Sequence, residues 1–260
     1  MPYESPTPDL AVNHYGRVLE ITLDRAAKRN ALNQAMCEGI LALVEAAQND
    51  PTVGAILLRA KGEVFCAGMD LGDARAENAV ERTASHARLF RMGEWSTKPI
   101  VCAVSGPALG GGLGLVANAH VAICAHGSTF GLTEIRIGMW PFAIYRALEL
   151  CLGPRRTLEL ALSSKIFNTP EAFGWGLVSE VVPPFELDDR AEAIAAALAN
   201  ASAETIARGM AFAAAQRMLT GEDAMALALE KRAQQFASPD FAEGVAAFEQ
   251  KRSPRWPSNQ

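Results

Sequence analysis

The sequence predicts an α/β fold with largely parallel strands, and three observations carry that prediction. Short apolar segments alternate with segments of helical period along most of the chain. A charge-free run from Pro99 to Thr133 is broken by turn residues. Beyond Pro183-Pro184 the chain becomes Ala-rich with helical spacing, and no Val/Ile run remains there.

Each element has its own signal. Residues Arg17 to Leu23 alternate, with Leu19, Ile21 and Leu23 on one face, which predicts a half-buried strand. A helix is expected from Gln34 to Asn49, with Met36, Ile40, Leu43, Val44 and Ala47 at helical spacing. Asn33 is its N-cap and Asp50-Pro51 its stop. Val53–Arg59, Ile100–Val104 and Val121–Cys124 read as buried strands. Helical patterns lie near Ser85–Glu94 and Leu113–Ala119. In the tail, helices are expected over Asp188–Asn200, Glu204–Met218 and Glu222–Phe236.

Composition bounds the function. The chain has 260 residues, half of them hydrophobic and a fifth charged, which is globular and excludes wholesale disorder. A chain of this size buries about three-quarters of its unfolded surface, so it needs no disulfide or zinc staple. The net charge of −5 gives no basic footprint for nucleic acid. The charge-free run is interrupted by Ser105-Gly106-Pro107, the glycines from Gly110 to Gly114, Asn118 and His120. It therefore reads as the interior of a soluble domain and not as a membrane span. The five cysteines form no metal-like spacing and read as free thiols in a reducing, cytoplasmic setting. Residues Met1 to Leu10 carry no apolar leader core.

Three stretches could carry chemistry. Ile100–Asn118 runs strand, turn, glycines, helix, so several N–H groups of Gly110, Gly111 and their neighbours point outward at a helix start. It meets neither the dinucleotide fingerprint nor the P-loop pattern. Close strand–helix packing through small residues explains it equally well. Val64–Asp70 is a second turn: Gly68 allows an unusual backbone angle and Asp70 can cap a following helix. Two such turns can together supply two N–H donors to an oxyanion. The third stretch, Ser128–Phe142, holds Glu134, the only acidic residue between Lys98 and Glu149. A desolvated carboxylate there suits proton transfer, and an ion pair with Arg136 is the competing reading. His86, on a helical pattern, reads more readily as a surface residue than as a proton carrier. His120 reads as a satisfied core histidine, and His126 as a turn residue. Asp73, Glu77 and Glu81 read as a solvated helix face, with Asp73 near enough to the second turn to enter a pocket. Phe90, Trp95, Trp140 and Phe142 read as core or pocket wall.

Taken together, five motifs resemble the crotonase superfamily, the enoyl-CoA hydratase/isomerase group. They are Arg25-Ala26-Ala27-Lys28-Arg29-Asn30-Ala31-Leu32, with Ala26 where Pro is usual; Ala67-Gly68-Met69-Asp70; and Gly106-Pro107-Ala108-Leu109-Gly110-Gly111-Gly112. Glu171-Ala172 through Gly176-Leu177-Val178 to Val181-Val182-Pro183 is the fourth. Glu243-Gly244, Ala247-Phe248, Lys251-Arg252, Pro254 and Trp256 form the fifth. The match runs from about Val12 to Trp256.

The resemblance implies a ββα spiral over residues 1–187 that binds acyl-CoA, and a helical trimerisation region over 188–260. It implies a homotrimer or homohexamer, with no cofactor beyond the coenzyme A of the substrate and no metal. It makes the N–H groups of Met69 and Gly111 an oxyanion hole for the thioester enolate. It places Lys28, Arg29 and Ala31 against the CoA nucleotide and pantetheine, with Lys251 reaching a CoA phosphate. Ala67, Gly68, Asp70 and Gly110 frame the substrate, and Trp140 walls the acyl group.

Two departures qualify this. Family hydratases hold water between two glutamates, and the first of those positions is Gly114 here. The second is Glu134. The family's PGxGG loop is replaced by Gly138-Met139-Trp140-Pro141-Phe142-Ala143. One carboxylate beside an oxyanion hole suits double-bond isomerisation better than efficient hydration. The alternatives are a decarboxylase or thioester hydrolase of the same superfamily, or a CoA-binding protein without catalysis.

Overall fold

The computed structural model describes residues 3–72 and 79–260. Its frame is a six-stranded sheet built from β1 (Leu10–Tyr15), β2 (Val18–Leu23), β3 (Ala55–Ala60), β4 (Ile100–Val104), β6 (Val121–Ala125) and β9 (Glu180–Val182), in that spatial order. Only β1 and β2 are antiparallel, joined through Gly16 at φ +55°; every later pair is parallel. The parallel α/β expectation therefore holds.

The second strand differs from its expectation, because all six of its residues are buried. Leu19, Ile21 and Leu23 face the main core, with Met36, Ile40 and Val44 of α1 (Gln34–Gln48) among its members. The opposite face is covered by α8 (Leu187–Ala199), whose Ala191, Ala195 and Ala199 join Val18, Leu57, Val101, Ala103 and Ile123 in a second apolar layer. A parallel sheet covered on both faces loses the simple alternation. Glu20 and Thr22 lie on the covered side, where the Arg59 guanidinium meets the Glu20 carboxylate at 2.6 Å. The first tail helix thus closes the sheet. It is followed by α9 (Ala203–Gln216), α10 (Gly221–Phe236) and α11 (Pro239–Glu249), the last of which the Ala-rich pattern does not announce.

A smaller sheet carries the site. It is made of β5 (Ala108–Leu109), β7 (Thr129–Gly131) and β8 (Ile166–Asn168), extended by single bridges between Cys66 and Ala108 and between Leu32 and Met69. Between these strands run α2 (Ala79–Leu89), α3 (Met92–Trp95), α4 (Gly111–Asn118), α5 (Phe142–Leu152), α6 (Pro154–Ser163) and α7 (Thr169–Gly174). The sequence pattern shows neither this sheet nor β1, α5, α6 and α7. Strands of two or three residues have no period to detect.

Asn30 ties the two sheets together. It is fully buried at φ +52°, a conformation that Asn tolerates better than most residues. Its amide donates to the carbonyls of Lys61 (2.9 Å) and Val64 (2.8 Å) and accepts from the Arg25 N–H (2.8 Å). Asn30→Ala strands these groups and removes the αL preference. A loss of about 2–4 kcal/mol in urea unfolding is expected.

Candidate active site

Three turns lie side by side because three strand ends do. The chain leaves the Cys66 bridge into Ala67–Asp70, leaves β5 into Gly110–Gly111, and leaves β7 into Thr133–Glu134. Gly110 N–H donates to the Gly131 carbonyl at 2.9 Å, so the second and third turns are tied. Leu109 N–H donates to the Cys66 carbonyl at 2.9 Å, which ties the first to the second.

Glycine is required where these turns touch. Gly68 has φ +104°, and a β-carbon there would lie 3.2 Å from the Leu109 carbonyl oxygen and 3.7 Å from the Gly111 nitrogen. Gly110 has φ +50°, and its β-carbon would meet Glu134 Oε1 at 3.0 Å. The two turns and the Glu134 carboxylate are therefore in direct apposition. Gly112 lets the first turn of α4 settle on Cys66, whose thiol is pushed by burial up to about 12 and stays protonated.

The backbone donors follow from the hydrogen-bond pattern. Leu32 N–H donates to the Gly68 carbonyl (2.7 Å) and Asp70 N–H donates to the Leu32 carbonyl (2.9 Å). In a parallel bridge this turns the N–H of the intervening Met69 away from Leu32. Gly111 opens α4, so its N–H has no acceptor within the helix. Both residues line one cleft of about 590 Å³. Two backbone donors beside a helix N-terminus suit an oxygen that gains negative charge.

Glu134 lines the same cleft, half-buried in a 3-10 turn over Glu134–Ile137 that closes on Gly138 at φ +74°. Its Oε2 is buried without a hydrogen-bond partner among the described residues. Desolvation raises its pKa, opposed in part by the backbone N–H groups of Glu134 and Thr133. Arg136 does not pair with it. That guanidinium donates to the Ser164 hydroxyl (2.5 Å) and carbonyl (2.6 Å), which removes the ion-pair reading.

The Gly114 position is filled. A β-carbon there would clash with Ile144 Cγ2, and would lie 2.9 Å from Ile144 Cβ and 3.1 Å from Phe90 Cδ1. Ile144 comes from α5, which begins where the glycine-rich loop of the family is replaced. The two departures in the sequence are thus one structural change. Trp140, stacked on Tyr145 with centroids 5.9 Å apart, and the largely exposed Phe142 complete the apolar wall.

Of the residues singled out in the sequence, Ala67, Met69, Gly110, Gly111, Glu134, Trp140 and His86 line the cleft, and Gly68 sits directly behind it. Asp70 has a different place. It meets the Arg25 guanidinium at 2.7 Å, which holds its carboxyl below the usual range, and its Oδ1 accepts from Gly72 N–H; the segment it was expected to cap lies outside the described residues. Arg25 also reaches Asp9 (3.2 Å) and the Ala31 carbonyl (3.0 Å), so it clamps the Ala67–Asp70 turn. The sequence reading treated Arg25 only as part of a motif. Lys28 and Arg29 are exposed beside that clamp and Ala31 is half-buried. Lys251 lies just past α11 and does not line the cleft. His120 is a satisfied core histidine: Nδ1 accepts from Ile100 N–H (3.0 Å) and Nε2 faces the Gly93 carbonyl (3.1 Å). Asp73, Glu77 and the Glu81 side chain lie outside the described residues.

The arrangement matches known proteins across the chain. The family model described as enoyl-CoA hydratase/isomerase matches residues 13–259, and the chain belongs to that family. It is 32% identical to the mevalonyl-coenzyme A hydratase sidH of Aspergillus fumigatus, over 92% of this chain and 91% of that one. It is 35% identical to a probable enoyl-CoA hydratase of Rhizobium meliloti, over 97% of each. The crystal structure of an enoyl-CoA hydratase from Mycobacterium smegmatis superposes with a TM-score of 0.90 at 30% identity, covering 96% of this chain and 99% of that one. The crotonase-type fold expected from the motifs is thereby shown.

The packing at Gly114 gives a direct expectation. Gly114→Glu does not create a second water-holding carboxylate, because Ile144 and Phe90 occupy its space. Chemical denaturation should show a loss of about 1–3 kcal/mol or more. A steady-state assay should show no gain in water addition to a 2-enoyl-CoA.

Proposed function

We propose that this protein is an acyl-CoA enzyme that forms a thioester enolate and moves a double bond, with Glu134 as proton carrier. The observation that carries the reading is a half-buried carboxylate, the one carboxylate among the described residues of the cleft, beside two outward backbone donors, with apolar side chains where a second carboxylate at Gly114 would stand. The thioester oxygen sits between the N–H groups of Met69 and Gly111. Glu134 removes a proton from the α-carbon, and the charge passes to that oxygen. Each such donor is worth about 3 kcal/mol in the transition state. The raised pKa makes the carboxylate a stronger base once ionised. The apolar wall of Phe90, Met139, Trp140 and Ile144 accepts the acyl chain, and the exposed Lys28 and Arg29 suit the CoA phosphates.

The relatives are named as hydratases. Hydration needs a held water as well as a proton carrier, and the filled Gly114 position opposes it. A small acyl-CoA panel read by mass spectrometry separates the outcomes. Double-bond movement supports the proposal; fast water addition or loss of carbon dioxide as the main reaction contradicts it.

Glu134→Gln keeps the side-chain shape and removes the base. Turnover is expected to fall about 10²- to 10⁴-fold, while calorimetry shows acyl-CoA affinity nearly unchanged. The stability effect has the opposite sign. A carboxyl whose folded pKa is raised binds more protons when folded, so its contribution weakens as pH rises past the unfolded value. At pH 7 the buried carboxylate is a cost, and the variant should melt higher than the parent. At pH values below the unfolded carboxyl pKa that difference should vanish.

Assembly belongs to the same proposal. Met225, Leu229, Phe236, Phe241 and Phe248 on α10 and α11 are exposed. Apolar faces of this kind are covered in an oligomer. Ultracentrifugation should give a trimer or hexamer, and a monomer at micromolar concentration contradicts it. We place the protein in the cytoplasm, on five free cysteines of which four are buried. Among the described residues no helix is long and apolar enough to cross a membrane.

A further inference from the structure

We propose that His86 is a second proton-transfer residue of this cleft, delivering the proton to the γ-carbon after Glu134 has taken one from the α-carbon. The inference rests on the isomerisation reading above and adds a residue to it.

His86 lies on α2, one turn before Phe90, whose N–H donates to the His86 carbonyl at 2.9 Å. The two rings share a helix face, with centroids 6.3 Å apart. Phe90 is pressed against the oxyanion turn: its Cζ lies 3.4 Å from a β-carbon placed on Gly111. Glu134 approaches the neighbouring Gly110. The two titratable groups therefore line one cleft from different elements, His86 on α2 behind Phe90 and Glu134 on the turn after β7. Among the described residues that line the cleft, the titratable side chains are His86, Glu134 and Arg136, and Arg136 is engaged with Ser164.

The helix that carries His86 is held in place. Gln34 Nε2 donates to the Ser85 hydroxyl at 2.9 Å, which pins α2 to α1. Arg88 pairs with Glu45, and its guanidinium lies 4.9 Å from the Trp95 ring centroid. Leu89 and Phe90 are buried in the main core. An imidazole on this anchored helix, beside Phe90 in the cleft lining, is placed to act on a carbon that the Glu134 carboxylate does not serve.

The step balances. The α C–H bond of a 3-enoyl thioester breaks, an O–H bond forms on Glu134, and the electron pair moves to the thioester oxygen. The pair then returns through the dienolate, and the γ-carbon forms a C–H bond with a proton from the imidazolium of His86. Glu134 loses its proton to water and His86 regains one, with no net oxidation or reduction.

The test runs the reaction in deuterium oxide and reads the label by mass spectrometry and NMR. The parent is expected to place solvent deuterium at the γ-carbon in nearly every turnover. His86→Gln, checked for an intact fold by circular dichroism, is expected to lose net double-bond movement by about 10²-fold or more while still exchanging the α-proton. Glu134→Gln is expected to lose both. Direct transfer of substrate hydrogen from the α- to the γ-carbon overturns the role of His86 and leaves the isomerase reading standing. So does undiminished isomerisation in His86→Gln. Loss of both signals in a folded His86→Gln also overturns it, by making the residue a support for the hole. A parent that neither exchanges the α-proton nor moves the double bond overturns the underlying reading instead.

Discussion

Two backbone turns approach so closely that neither accepts a side chain at the point of contact. Gly68, at φ +104°, lies against the Leu109 carbonyl and the Gly111 nitrogen, and Gly110, at φ +50°, lies against the Glu134 carboxylate. The rest of the structure serves this approach. The small sheet aligns the strand ends, with Cys66 bridged to Ala108 and Ala108 paired with Phe130. Asn30 and Arg25 hold the outer turn from behind. The large sheet, covered on both faces, supplies the rigid base from which those strands depart. Donors fixed before substrate arrives need no reorganisation as charge develops, which is the main advantage of building them from backbone.

The same packing supports the chemistry proposed for the cleft. An unpartnered carboxylate oxygen in a half-buried turn carries a desolvation cost, and the fold tolerates it next to the donor pair. A second carboxylate at Gly114 would need the space of Ile144 and Phe90. That space is closed by Ile144 of α5, which begins at Phe142 within the segment that replaces the glycine-rich loop of the family.

Much of this was legible in the sequence, for identifiable reasons. The α1 boundaries and the Asn33 cap were readable because the cap and its Met36 contact are local. The strands Ile100–Val104 and Val121–Cys124 were readable as apolar runs, the second extending one residue further to Ala125. Gly68 pointed to an unusual backbone angle, and it has positive φ; the glycine run after β5 pointed to close backbone approach, and Gly110 has positive φ as well. What stayed hidden depends on contacts between distant segments. The burial of both faces of β2 comes from α8, about 170 residues away in the chain. The role of Arg25 as a clamp needs Asp9 and Asp70 brought together. The sequence showed that Gly114 lacks a carboxylate, but not that Ile144 fills the place. The pairing of Arg136 with Ser164, and so the absence of an Arg136 ion pair at Glu134, was likewise a tertiary fact.

The central claim is that the Met69 and Gly111 N–H groups hold the thioester oxygen with Glu134 beside the α-carbon. A crystal structure of the protein with a bound unreactive saturated acyl-CoA tests it most directly. The account predicts the thioester oxygen about 2.7–3.1 Å from both nitrogens, with the acyl chain against Phe90 and Trp140. A thioester oxygen that contacts neither donor, or an acyl chain lying outside this cleft, would contradict it.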